Sequence, residues 1–218
     1  MIDFKCASKG TAKIFTGEIL ELISLVAIMI GGALGIAALA FAGEESVEGF
    51  AVSGIAALVL IIGGAVVAVI AYIFELIGFN KAGSQNGNFK TALYLVLFSF
   101  ALTIVNAIIS MVAKSDLSSS IVMTVKTALD AAVTIFVLNG CYELLTEKGN
   151  TSLAEQATTV QSRVMIAFIL AAILQFIPGF VDGIADTIMT IASAICTVIA
   201  YIQYLIILKK ASKSFAEE

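Results

Sequence analysis

Histidine and tryptophan are absent from this 218-residue chain, proline occurs once, and only 13% of the residues are charged. Without histidine the protein has neither the commonest general base nor the commonest neutral metal ligand. The three cysteines, Cys6, Cys141 and Cys196, lie far apart in sequence and form neither a CxxC pair nor a zinc spacing, so they read as free thiols. Cys6 also follows no apolar run, which removes it as a lipoprotein acylation site. Twelve basic residues are set against sixteen acidic ones with no dense Lys/Arg cluster, which excludes nucleic acid as a partner. The chain contains no GxSxG, HExxH, P-loop or dinucleotide fingerprint. No catalytic residues, metal site or cofactor are therefore expected, and the protein is not expected to be an enzyme.

Apolar length is what the chain has in abundance. Hydrophobic residues make up 60% of it, with a mean hydropathy of +1.07, whereas a soluble domain carries about a quarter charged residues. Runs free of ionisable residues recur at Leu22–Gly43, Gly49–Phe74, Thr91–Ala113, Ala131–Tyr142, Val164–Val181 and Thr187–Leu208. A helix needs about 20 residues to cross the hydrocarbon core of a bilayer. Four runs are long enough unaided, the fifth is marginal, and Ala131–Tyr142 is too short alone. Lys5, Lys9 and Lys13 ahead of the first run, with Ala40-Phe41-Ala42 behind it, mimic a cleaved signal peptide. That run is longer than the ~7–15 residues of a secretory core and suits a permanent span.

The expected architecture is all-α, a polytopic transmembrane helical bundle of six helices arranged as three hairpins. These fall at about 14–81, 90–148 and 163–210 in one integral membrane domain covering 1–218. The polar stretch from Thr146 to Ser162 reads as an amphipathic or irregular segment between hairpins, and Pro178-Gly179 as the outer turn of the third, with Asp182 and Asp186 complementing the next helix dipole.

Basic residues set the expected orientation. With a cytoplasmic N-terminus, ten of the twelve fall inside, and only Lys114 and Lys126 fall outside. The outer loops then carry Glu44, Glu45, Glu48, Asp116, Asp182 and Asp186, and all five tyrosines lie toward inner ends. Both termini are expected in the cytoplasm, with the plasma membrane as location. A weak repeat accompanies this pattern. Each hairpin begins after a basic residue, Lys13, Lys90 or Arg163. Each ends with related segments, Phe74-Glu75-Leu76-Ile77, Tyr142-Glu143-Leu144-Leu145 and Ile202-Gln203-Tyr204-Leu205. Topology alone would also supply the basic flanks.

The fourth span holds the candidate site residue of most interest. Extending Ala131–Tyr142 to twenty residues as Met123–Tyr142 or as Thr127–Thr146 encloses Asp130 either way, and a central carboxylate costs about 2.5–3.5 kcal/mol on insertion scales. Asp130 should therefore face protein or water. Lys126, four residues earlier, shares its helix face and can pair with it. One reading makes Asp130 part of an ion or solute path. The other has Lys126 neutralising it near the outer interface. On the inner side, Glu18 and Glu21 share a face at the start of the first helix, while Glu75 and Glu143 are expected to end the second and fourth. There the helix dipole disfavours them, so they need cationic neighbours such as Lys81, Lys90 or Lys148. Together these acids would form a cation-attracting vestibule, or else serve as interfacial anchors. Asn106, Asn139, Gln175 and Gln203 are expected to form interhelical hydrogen bonds.

Small residues crowd the first hairpin. Gly31 with Gly35, and Gly64 with Ala68, have the small-xxx-small spacing that brings helix backbones together, either within the hairpin or against a second protomer or membrane partner. Besides the lipid bilayer, the expected partners are thus a homo-oligomer or another membrane protein. Two functions follow: movement of a small solute or ion through the bundle, or a non-catalytic scaffold or accessory subunit of a larger membrane complex.

Overall fold

The structure is a computed structural model, and it describes residues 2–43, 47–113, 116–176 and 184–217. Among them are six helices and no strand: α1 (Phe4–Gly43), α2 (Val47–Gly83), α3 (Gly87–Ala113), α4 (Asp116–Glu147), α5 (Thr151–Phe176) and α6 (Ile184–Ala216). Five carry stretches long and apolar enough to cross a membrane, at Phe4–Leu39, Ala51–Gly83, Gly87–Val105, Val125–Glu147 and Ile195–Ala216. The chain is accordingly a multi-pass integral membrane protein with a helical-bundle fold. The fifth expected run, Val164–Val181, ends outside the described residues, and Glu44, Glu45, Lys114, Pro178, Gly179 and Asp182 lie outside them. The side chains of Glu48, Asn106, Asp116, Gln175 and Asp186 are likewise outside them.

The helices run well past the apolar runs. α1 has 40 residues, about 60 Å at 1.5 Å per residue and twice the ~30 Å hydrocarbon core. Glu75 does not end α2, as the sequence suggested, because that helix continues to Gly83. Glu143 does lie in the last turns of α4, which stops at Glu147. The segment after Thr146 also turns out to be mostly helical. Gly149, at φ 82°, closes α4: its own N–H donates to Thr146 O, and that of Asn150 donates to Leu145 O. This left-handed C-terminal cap is one that glycine adopts without steric cost. Asn150 then caps α5, its Oδ1 accepting from Leu153 N at 3.2 Å. Leu153, Ala154, Ala157, Val160 and Val164 form a buried stripe at helical spacing, while Ser152, Glu155, Gln156 and Thr159 face outward.

The chain divides into two compact units, Lys13–Gly78 and the remainder. In the larger unit α4 packs against α3, α5 and α6, and α5 against α6. Its core collects where the helices pass the ends of their apolar runs. Phe79, Phe89, Leu138, Leu144, Leu145, Tyr204, Leu208 and Phe215 are almost completely buried there. Each fully buried large side chain contributes about 1.5–3 kcal/mol when the alternative environment is water. Both termini are tied into this end. Asp3 Oδ1 caps α1 by accepting from Cys6 N (2.9 Å), and Asp3 N donates to Gln85 Oε1 (2.8 Å). Ser8 and Ser212 exchange hydroxyl-to-carbonyl hydrogen bonds at 2.8 and 3.2 Å. Phe4 packs on Phe215, and Lys148 Nζ donates to the carbonyls of Ser214 and Glu217 at the end of α6, where a cation also suits the helix dipole.

The smaller unit is a helical hairpin with a different seam. Gly17 lies against Ala71, Ser24 against Gly64 and Gly31 against Ala57, so each step of seven up α1 meets a step of seven down α2. A period of seven keeps one stripe of each helix facing the other along its length. Contact is close enough that a Cβ added to Gly31 would stand 3.0 Å from Ala57 O, and one on Gly64 would stand 3.1 Å from Ser24 O. Ser24 Oγ donates to Gly64 O at 2.7 Å across this seam. Gly35 and Ala68, the second members of the two expected small-residue pairs, are only half-buried beside it. Around the seam, Leu25, Met29, Ile36, Ile55 and Val59 are each more than half exposed.

Candidate functional site

Of the six candidate path residues, the hairpin unit brings three together. Glu18 and Glu21 project from one face of α1, and the same register that places Gly17 on Ala71 brings Glu75 of α2 beside them. A carboxylate oxygen from each lies within 4.8 Å of the others. Gly17 makes this approach possible, because a Cβ there would meet Glu75 Cγ at 2.5 Å and Ala71 O at 2.9 Å. Glu18 and Glu75 are each only 9% exposed, while Glu21 is exposed. Lys13 lies one turn away on α1, its ammonium 5.1 Å from the centre of the Phe74 ring, in the range of an attractive cation–π contact. Three carboxylates so close repel one another, most strongly where water is reduced. The group is thus suited chemically to a hard cation, which takes oxygen ligands.

The other candidates belong to the larger unit, in the α3–α4 pair. Asn86 meets Glu143, the Phe89 ring lies on Gly140, and Ser99 meets Asp130, one antiparallel register throughout. Asp130 sits in the middle of an unbroken helix and inside the stretch Val125–Glu147. Its Oδ1 accepts from Ser99 Oγ at 3.1 Å, and its Oδ2 stands 4.0 Å from Lys126 Nζ. The Asp130 side chain is 48% exposed and that of Lys126 47%. The carboxylate thus meets protein on the α3 side and is open on the other. Glu143 accepts from Asn86 Nδ2 at 2.7 Å, so the neighbour it gains is a neutral amide at the α2–α3 turn rather than one of the lysines near it in sequence.

The sequence signals behind these two groups differ. That Glu18 and Glu21 share a face follows from their spacing, but only the hairpin register brings Glu75 to them. The seam that sets this register repeats every seven residues through Gly17, Ser24, Gly31 and Ala38. Ser24 hides that period from a search for glycine pairs, and Gly31/Gly35 draws attention to a spacing of four. Ser99 had no signal of its own. Comparison with protein-family models, curated proteins and solved structures finds no match to this chain.

Proposed function

We propose that this membrane protein moves a small cation, with Glu18, Glu21 and Glu75 as the group that binds it first. The observation that carries this reading is the convergence of three carboxylates, two of them almost buried, at the level where the long apolar run of α1 begins. A cation among them would offset their mutual repulsion. Asp130, with Lys126 beside it, is the corresponding polar interruption in α4. In this reading both termini are cytoplasmic, as the ten-to-two division of basic residues implies. The membrane is the plasma membrane, and the protein carries out no covalent chemistry.

The test is flux into liposomes containing the purified protein, measured for protons, alkali cations and divalent cations. Wild type should exceed protein-free vesicles for one of these. Glu75→Gln should lower that flux severalfold or more, and Asp130→Asn should lower it less. Background-level flux of every cation removes the proposal.

A scaffold or accessory role has its own support in the packed helix ends of the larger unit, where Phe4, Lys148 and Phe215 join both termini. A packed helix end of this kind suits attachment of a second membrane protein. Co-purification of a stoichiometric partner from native membranes, lost on Phe215→Ala, would favour that role.

A further inference from the structure

We infer that the outer half of the α3–α4 seam is a water-filled cleft that ends at Asp130 and admits a small cation to it from one side of the membrane only. The register of the two helices, set by Asn86 with Glu143, the Phe89 ring on Gly140 and Ser99 with Asp130, fixes the depth of that carboxylate. Asp130 is level with Ser99, which stands eight residues from the start of the charge-free run Thr91–Ala113 and fourteen from its end. At 1.5 Å per residue, that is about 12 Å from one end and about 21 Å from the other, inside a hydrocarbon core of about 30 Å. Exposed apolar residues of α3 bracket this level, Leu97 and Phe98 before it, Ile104 and Ile108 beyond it. Asp130 therefore lies deep in the membrane, yet its side chain is 48% exposed. An ionisable group at such depth faces water or protein and not lipid. Lys126 is as exposed on the same face, and water is the one neighbour that solvates both signs of charge.

Polar residues mark the way from Asp130 toward the outer ends of both helices. On α3, Thr103 follows Ser99 by one turn and is exposed, and the three- and four-residue spacing of that stripe continues in the sequence to Asn106 and Ser110. The antiparallel register sets Thr103 level with Lys126, and nearer the start of α4 the same spacing from Asp130 leads back through Thr127 to Ser120 and Ser119. Inward of Asp130 the character reverses, and Phe89, Ala92, Val133, Val137 and Cys141 are all buried. A seam that is polar on one side of a carboxylate and packed with apolar side chains on the other is open to one solution and closed to the other. Lys126 Nζ, 4.0 Å from Asp130 Oδ2, stands on the open side, so an arriving cation takes the carboxylate over from that ammonium. The inference deepens the proposed cation movement and rests on it for the cargo, whereas the cleft rests on register, exposure and residue type.

The experiment is labelling of added cysteines by a membrane-impermeant cationic methanethiosulfonate, applied to sealed vesicles of the full-length protein from each side in turn. The wild type, with its three native cysteines, serves as the blank. From the outer side, Thr103→Cys and Thr127→Cys should each react about tenfold faster, or more, than Ile104→Cys, the exposed apolar neighbour at the same depth. From the inner side none of the three should exceed the blank. Equal rates at residues 103 and 104 would put that level outside the membrane. Protection of 103 and 127 from both sides would show protein covering Asp130, a second copy of this chain included. Either result overturns the inference, as does faster reaction from the inner side. In liposomes, labelled Thr103→Cys should lose most of the cation flux of the unlabelled variant, and undiminished flux would also overturn it. Absence of flux in the unlabelled wild type would remove the reading of the protein as a cation mover, while the labelling pattern would still decide the cleft.

Discussion

The hairpin of Lys13–Gly78 and the packed helix ends of the larger unit bury opposite kinds of residue. In the hairpin the smallest side chains face inward, with Gly31, Ala57, Gly64 and Ala71 along the seam, while Met29, Ile36 and Ile55 face outward. In the larger unit the biggest side chains are the most enclosed, Tyr204, Phe79, Phe89 and Phe215 among them. The difference follows from the surroundings each implies. Lipid chains solvate leucine as well as another leucine does, so helices in a bilayer associate by close backbone approach, dispersion and occasional hydrogen bonds such as Ser24 to Gly64. Where the polar helix ends meet water, burying large apolar side chains is itself the driving force. One chain follows both rules, and the change lies along single helices.

Four substitutions, two of them paired with a control, would break or sharpen that contrast. Leu144→Ala, in the fully buried end of α4, should cost about 2–5 kcal/mol, whereas Leu25→Ala on the outer face of the hairpin should change stability little. Chemical unfolding in mild detergent would compare them, and equal effects would remove the distinction. Gly31→Leu places a side chain against Ala57 O and Leu60 and should cost about 1–3 kcal/mol by overpacking. Gly32→Leu, next to it with nothing within 4 Å, should be tolerated, as paired melting curves would show. Asn150→Ala removes the cap of α5 and should cost about 1 kcal/mol, seen as earlier hydrogen exchange at Leu153 than elsewhere in that helix. Ser24→Ala removes one hydrogen bond across the hairpin seam and should cost about 0.6 kcal/mol, the average for such bonds in membranes. That loss should be a small fall in Tm, well below that of Gly31→Leu.

Much of the architecture was legible because lipid imposes a simple length rule. Leu22–Gly43 and Gly49–Phe74 could hardly be anything except membrane helices. The helix ends were less legible, since a helix can leave the membrane without interruption and the polar residues that follow look like a loop by composition. Thr151–Ser162 is the clearest instance. Its buried stripe of Leu153, Ala154, Ala157 and Val160 shows helical periodicity once Asn150 is recognised as a cap, but polar residues between the stripe positions dilute it. Among the candidate site residues, Lys126 and Asp130 were paired by spacing alone, since four residues of helix decide that contact. Ser99 and Asn86 were not anticipated, because their contacts cross between helices.

By itself, the sequence determined that this protein enters a membrane repeatedly as helices, because hydrophobic length and charge placement act locally and need no knowledge of neighbours. It also determined that Glu18 and Glu21 share a face. Only the tertiary structure decided that Glu75 joins them, that Asp130 meets Ser99, and that the polar helix ends share a core of large side chains. Those outcomes depend on register between helices, which is set by the summed fit of many side chains along each seam and not by any short stretch of chain.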